Sequence, residues 1–268
     1  MCINVPRERR RMQETATDRL RIIMGDEGLE RLQSATVMVF GCGGVGSSCI
    51  EALARAFIGR IVIVDKDVVA PSNINRQAIA FTSTVGKRKV DVMAGMIRDI
   101  NPACTVIAHN AFVLPENLEG LFDECLAACS GRIDYIVDAI DTVSAKLALA
   151  QLADERGVPL ISSMGAANKL HPECLRICDI RETERDPLAR VMRKECRRRG
   201  IRRLQVLYSC EDPIDLFARG QGQPGERVLG TASFMPPIMG QMIAGEVIRQ
   251  ISGVGCGKAR EGGARRDR

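Results

Sequence analysis

Residues 36–67 constrain the fold more than any other part of this chain, because four signals follow one another there in a fixed order. Val37, Met38, Val39 and Phe40 form an apolar run long enough for a buried strand. Gly41-Cys42-Gly43-Gly44-Val45-Gly46 follows without a gap, a G-x-G-x-x-G pattern carrying one extra glycine. Ile50, Leu53, Ala54 and Phe57 then recur at helical spacing, and a second apolar run, residues 61–64, ends on Asp65. Strand, glycine turn, helix, strand and acid is the order of a nucleotide-binding βαβ unit. Glycines let the backbone turn sharply and come close to a phosphate, and the helix N-terminus turns free N–H groups and a positive dipole end toward it. An acid at the tip of the second strand can take ribose hydroxyls.

The same alternation continues. Val90, Met93, Ile97 and Ile100 make one stripe of a helix over 86–100, which Asn101-Pro102 ends. A strand is expected at 104–108, a helix beginning near Pro115 with Leu118, Leu121, Phe122 and Leu126, and a strand at 133–140 running into Asp141. A helix over 142–156 and a strand at 160–163 follow. This implies an α/β fold: a doubly wound, largely parallel Rossmann-like sheet with helices on both faces. The C-terminal third is less regular, with strands at 174–180 and 204–208 around a basic helix and an apolar helix within 230–251. The expected organisation is one domain over 18–252 with a basic insertion at about 186–203. A disordered tail at 1–17 precedes it and a basic flexible tail at 253–268 follows. Before the first strand, Leu20, Ile23, Met24, Leu29 and Leu32 suggest one or two short helices covering the sheet edge or another subunit.

Composition removes several classes. With no Trp, two Tyr and 3% aromatics, the chain lacks the material for a base-stacking platform. Eleven scattered cysteines without a secretory signal read as reduced thiols of a cytoplasmic protein. No apolar run approaches the roughly 20 residues that span a bilayer. The net charge of +5 is unevenly placed: residues 190–203, RVMRKECRRRGIRR, hold eight bases and one acid. Self-repulsion in such a segment is relieved by an anionic partner, and phosphate-backbone contact with a nucleic acid supplies one, with Arg260, Arg265, Arg266 and Arg268 adding to it.

The polar residues beyond the second strand decide which nucleotide chemistry is meant. Hydride transfer to a nicotinamide has no use for Asp65-Lys66-Asp67, Asn73-Ile74-Asn75-Arg76-Gln77, Lys89 and Asp141 together. An adenylyl- or phosphoryl-transferring enzyme does, since it must hold a triphosphate, bring Mg²⁺ to it and neutralise charge building on the α-phosphate and the leaving pyrophosphate. Arg76 and Lys89 offer fixed positive charge, although Lys87 and Arg88 sit beside Lys89 and offer the same. Asp141 offers a hard oxygen ligand for Mg²⁺ at the carboxyl end of a predicted strand, with Asp138 competing for that role.

At these residues the chain resembles the ubiquitin-activating-like adenylating enzymes, the group that contains ThiF and MoeB. The motifs that carry the resemblance are GCGGVGS, DKD at 65–67, NINRQ at 73–77, VGKRK at 85–89 and DAID at 138–141. SSMGAANKLHP at 162–172, DPLAR at 186–190 and SFMPPIMGQMIAGEVI at 233–248 are similar to the branch that dehydrates threonylcarbamoyladenosine in tRNA. The resemblance implies that Gly41, Gly43, Gly44 and Gly46 line the phosphates and ribose of ATP, and that Asp65 binds the ribose with Asp67 beside it. Asn73, Arg76, Gln77 and Lys89 would surround the phosphates, and Asp141, rather than Asp138, would hold Mg²⁺. Arg76, Lys89 and Asp141 would carry the catalysis. The implied reaction is activation of the threonyl carboxylate at tRNA position 37 as an acyl-adenylate, followed by ring closure and release of AMP. The competing expectation is an activator of the C-terminus of a ubiquitin-like or sulfur-carrier protein. The family also implies a homodimer, for which the apolar segment 234–251 would provide surface, and admits a sulfur-transfer protein as a further partner. Arg19 would then either reach a partner subunit's phosphates or form a structural ion pair.

The chain departs from ThiF- and MoeB-type members in one respect. Those carry paired C-x-x-C motifs closing a zinc site, whereas this chain has Cys125-x-x-x-Cys129 and Cys174-x-x-x-Cys178, which argues against zinc and against sulfur-carrier proteins as substrates. Cys174, Cys196 and Cys210 are candidates for thioester chemistry by location alone.

Overall fold

In a computed structural model, which describes residues 14–214 and 229–256, the chain forms a seven-stranded sheet flanked by helices. In chain order the elements are α1 (Asp18–Ser34), β1 (Thr36–Phe40), α2 (Gly44–Arg55), β2 (Arg60–Val64), α3 (Lys89–Ile100), β3 (Thr105–His109) and α4 (Leu118–Ala128). There follow β4 (Tyr135–Asp138), α5 (Val143–Arg156), β5 (Leu160–Ser163), β6 (Leu175–Asp179), α6 (Pro187–Arg199), β7 (Gln205–Ser209) and α7 (Met235–Ser252). The sheet order is β3-β2-β1-β4-β5-β7-β6, parallel throughout except for the edge strand β6, which runs antiparallel to β7.

From β1 the chain winds outward through β2 and β3, then returns to the far side of β1 as β4 and winds the other way. The switch point therefore lies between β1 and β4, where open α/β sheets leave a crevice beyond the strand ends. Pairing of Phe40 with Asp138 and with Val64 brings the ends of β1, β2 and β4 level.

Because successive side chains of a strand point to opposite faces, the unbroken apolar run of β1 serves two cores. Val37 and Val39 face α2, α3 and α7, packing with Ile50, Leu53, Met93, Ile97 and Ile243. Met38 and Phe40 face α4 and α5, packing with Phe122, Cys125 and Leu149. A third cluster joins α5 to α6 through Leu147, Ala150, Met192 and Cys196, so α5 buries two sides.

Several expectations change in physical detail. The helix expected over 86–100 begins at Lys89, because Gly86 adopts φ +84° and residue 88 is bridged to Val68. The helix expected near Pro115 begins at Leu118, after a turn in which the Asn117 side chain accepts from Leu114 N–H and donates to Phe112 C=O. The expected strand 133–140 is shorter because Asp138 Oδ1 accepts from Ile140 N–H and turns the chain out of the sheet. The N-terminal helices are two, broken at Gly25 with φ +71°. The expected tails lie largely outside the described residues.

One expectation is corrected. The apolar segment 234–251 does not need a second subunit to cover it: α7 packs along α2, burying Met235, Met239, Ile243, Ala244 and Val247 within the same chain. Gly240 makes the approach possible, since a Cβ there would stand 2.3 Å from Val45 O. Among the described residues no helix is long and apolar enough to cross a membrane.

Candidate active site

A cavity of about 700 Å³ opens at the switch point, above the ends of β1, β2 and β4. Its floor is the turn from β1 into α2. Gly41 has φ +96°, and a Cβ there would lie 2.7 Å from Ala139 O, so the two chain segments leaving the sheet touch at a position only glycine fits. Gly43 and Gly44 present the first turn of α2 to the cavity. Gly46 stands behind them and is not on the wall: its Cβ would be 1.8 Å from Gly41 O. Its role in this geometry is to let α2 pack against the turn, whereas the expectation placed it at the phosphates.

Asp65, at the end of β2, holds this floor in place. One of its oxygens accepts from Cys42 N–H at 2.6 Å and the other from Asp67 N–H at 2.8 Å. Lys89 is buried at the cavity wall, with Nζ 2.8 Å from Asp67 Oδ2, while Lys87 is exposed and off the wall and Arg88 is paired with Asp91. Of three adjacent bases, only Lys89 faces the cavity. Arg76 also lines the cavity, its Nη1 fixed by Ser72 O at 3.0 Å and Asn75 Oδ1 at 2.9 Å. Asn73 uses its Oδ1 to accept from Ala70 N–H, and Gln77 is buried with an Oε1 that has no hydrogen bond among the described residues.

The two candidate metal acids separate cleanly. Asp138 is fully buried, its Oδ2 taking Lys146 Nζ at 3.0 Å and Ser162 Oγ at 2.6 Å, and it does not reach the cavity. Asp141 is exposed on the wall, and among the described residues its side chain has Thr142 Oγ1 alone as a hydrogen-bond neighbour, at 3.3 Å. Among the described residues no three His, Cys, Asp or Glu side chains converge on a metal-sized space. A single carboxylate suits Mg²⁺, which keeps waters and substrate phosphates as its other ligands.

Arg19 is exposed near the start of α1 and is not part of this wall. Among the described residues no cysteine lines the cavity. Burial raises the Cys174 thiol and pushes Cys196 up to about 11, so both are protonated at neutral pH. Burial likewise raises Cys42, inside the glycine turn, well above the usual thiol range.

Sequence reasoning assigned no role to the second wall. It consists of Ser163 at the end of β5, residues 164–169 after it, and Asp186 with the first residues of α6. There Lys169 and Asp186 form a buried ion pair at 3.4 Å. Phe112, which follows β3 and lines the cavity, is half exposed and carries Lys66 Nζ 4.2 Å from its ring centre.

Residues 17–264 match the model of the ThiF family. Over 240 residues the chain is 43% identical to a tRNA threonylcarbamoyladenosine dehydratase of Bacillus subtilis, covering 86% of this chain and 92% of that protein. The fold matches the crystal structure of E. coli tRNA N6-threonylcarbamoyladenosine dehydratase in complex with ATP, with a TM-score of 0.74 and 29% identity over 90% of this chain and 98% of that one. The AMP complex of the same E. coli enzyme matches with the same TM-score, identity and coverage.

Proposed function

The chain belongs to the ThiF family, and from that premise we infer that it is an ATP-dependent tRNA threonylcarbamoyladenosine dehydratase. The observation that carries the reading is the convergence of Arg76, Lys89, Asp141 and the glycine turn on one cavity at the switch point, with room for an acceptor against a second wall.

The chemistry follows from those positions. Gly43, Gly44 and the first N–H groups of α2 meet the phosphates, and Asp65 takes the ribose. Arg76 and Lys89 both line the cavity, where they neutralise charge as a carboxylate oxygen of the threonyl group attacks the α-phosphorus and pyrophosphate leaves. Asp141 would hold Mg²⁺, which when bound supplies further charge neutralisation at the phosphates. In the second stage the carbamoyl group of the same side chain attacks the activated carboxyl carbon. The carboxylate oxygen departs with AMP, a proton is lost, and the ring forms with net loss of one water. Holding nucleophile and acyl-adenylate in one cavity makes this step intramolecular.

The basic helix fits a tRNA partner. α6 begins at the cavity wall with Pro187 and Leu188 and carries its bases outward from there. Seven of the eight bases of 190–203 are exposed; Arg193 is turned inward onto Thr183. Of the exposed ones, the side chains of Arg190, Lys194, Arg197, Arg202 and Arg203 make no ion pair or hydrogen bond among the described residues. If these five meet phosphates, log affinity for tRNA falls against log salt with a slope of roughly −4. A flat response between low and moderate salt would remove this surface from the reading. We keep the cytoplasm and a homodimer as parts of the proposal; with α7 covered, the dimer's support in this chain is the exposed Ile22 and Ile23 of α1.

The test is AMP release from Mg-ATP with tRNA carrying threonylcarbamoyladenosine, against the same tRNA unmodified, with mass spectrometry of the digested nucleosides. AMP release only with the modified tRNA, accompanied by loss of one water from the nucleoside, is expected. Nucleotide turnover that responds instead to a protein C-terminus would transfer the activity to that class of substrate.

A further inference from the structure

Asn75 is exposed and stands off the cavity wall, yet both ends of its amide are committed. Oδ1 accepts from Arg76 Nη1 at 2.9 Å, and Nδ2 donates to Thr231 O at 3.1 Å. The second bond crosses 156 residues of sequence to the segment that leads into α7. That segment is also tied to the second wall: Gly230 N–H donates to Asn168 Oδ1 at 2.7 Å, and Asn168 N–H donates to Gly230 O at 2.8 Å. Arg76, Asn168, Leu229 and Thr231 all line the cavity. Residues 229–231 thus join the two walls, and Asn75 is a side chain by which the nucleotide wall holds them.

The same amide decides how Arg76 presents its charge. A guanidinium carries five N–H donors in one rigid plane. Here Nη1 is occupied by Ser72 O at 3.0 Å and by Asn75 Oδ1. The stem lies on the first turn of α2, where a Cβ on Gly44 would stand 3.3 Å from Arg76 Cγ and 2.8 Å from Pro236 Cβ. Among the described residues Nε and Nη2 have no hydrogen bond or ion pair. One side of the plane is anchored, and the Nε–Nη2 edge is left for two oxygens of a phosphate. A hydrogen bond at an exposed position contributes little to stability, so its larger consequence here is to hold a long side chain in one orientation.

We propose that Asn75 is a positioning residue for the adenylation step: its Oδ1 fixes the Arg76 guanidinium with the Nε–Nη2 edge open to the phosphates, and its Nδ2 keys that orientation to residues 229–231. The inference rests on the reading of Arg76 as a phosphate-binding residue and deepens it. Asn75 is off the cavity wall, so it acts through Arg76 and not on the nucleotide. Without its amide, Arg76 keeps its charge but loses one of the two anchors on Nη1. The charge is then spread over several rotamers, and less of it meets the α-phosphorus as pyrophosphate leaves.

A double-variant cycle on the full chain tests this, with Asn75→Ala, Arg76→Ala and the two together. Two quantities are measured: the Kd of an α,β-non-hydrolysable ATP analogue with Mg²⁺, and the rate of AMP release with tRNA carrying threonylcarbamoyladenosine. Asn75→Ala alone is expected to weaken the analogue about 3- to 10-fold, the range of an ordinary hydrogen bond, and to slow AMP release about 10-fold. With Arg76→Ala already in place, adding Asn75→Ala should change either quantity by less than about twofold. A merely structural role would give the same factor in both backgrounds. Equal factors, or no effect of Asn75→Ala alone, overturn the proposal, and so does a drop in melting temperature large enough to account for the loss. The Kd measurement needs no acceptor. If the wild-type chain releases no AMP with the modified tRNA, the reading of the acceptor fails, while the Kd cycle still decides the role of Asn75.

Discussion

Replacing Asp141 by alanine is expected to lower AMP release with modified tRNA by about 10²- to 10³-fold while reducing ATP affinity far less. The expectation comes from the division of labour between two aspartates three residues apart. Asp138 has its carboxylate committed to Lys146, Ser162 and the N–H of Ile140, behind the cavity wall. Asp141 has one weak neighbour, the Thr142 hydroxyl, and faces the cavity. Of the two, Asp141 is the one with lone pairs free to hold a hard cation, which would supply charge neutralisation as pyrophosphate leaves. Single-turnover kinetics with saturating Mg-ATP check it. A variant within threefold of the wild-type rate would mean that no cation held by Asp141 takes part.

The second large effect falls on stability. Lys146→Met should destabilise the fold by about 3–5 kcal/mol, because Asp138 would remain as a charge without a partner in a fully buried position. For a chain of this size each kcal/mol moves the melting temperature by about 2–4 °C, so a drop on the order of 10 °C is expected. The double variant Asp138→Asn with Lys146→Met should regain most of that loss, since a neutral amide can still hydrogen-bond Ser162 and the turn to Ile140. A single variant that melts like the wild type would show that Asp138 finds another donor or sheds its charge at little cost.

These two cases mark where the sequence was readable. Asp141 stood out because it follows an apolar run at the carboxyl end of a strand, and location along a parallel strand is a sequence-level fact. Lys146 gave no such signal. It sits among Leu147, Leu149 and Leu152 on a helix that buries two sides, against the α4 side and against α6, and a lysine at that spacing looks like a polar residue on a wet face. The glycine turn was legible as a motif, yet Gly43 and Gly44 at the wall could not be told from Gly46 behind it. The difference is a backbone approach to Gly41 O that only coordinates reveal. The choice among Lys87, Arg88 and Lys89 was open for a similar reason: Gly86 and the bridge to Val68 set which of the three turns inward. Lys169 and Asp186 belonged to recognisable stretches, but their pairing crosses loops far apart in the chain. The apolar helix α7 was seen and its partner misjudged, since hydropathy records that a face must be covered and not by what.

The packing of α7 on α2 has a consequence for the time at which this protein can first act. Gln241 donates to Ser48 O across 193 residues of sequence, Gly240 lies against the backbone of Val45, and Pro236 rests on Gly44. The floor of the nucleotide cavity is therefore completed by one of the last described segments to leave a ribosome. Chains are made at about 5–20 residues per second, and domains fold as they emerge. Throughout that interval the sheet from β3 to β5 can assemble while α2 lacks the helix that braces it. A chain that has emerged only as far as β7 would carry the glycine turn without the helix that packs on it.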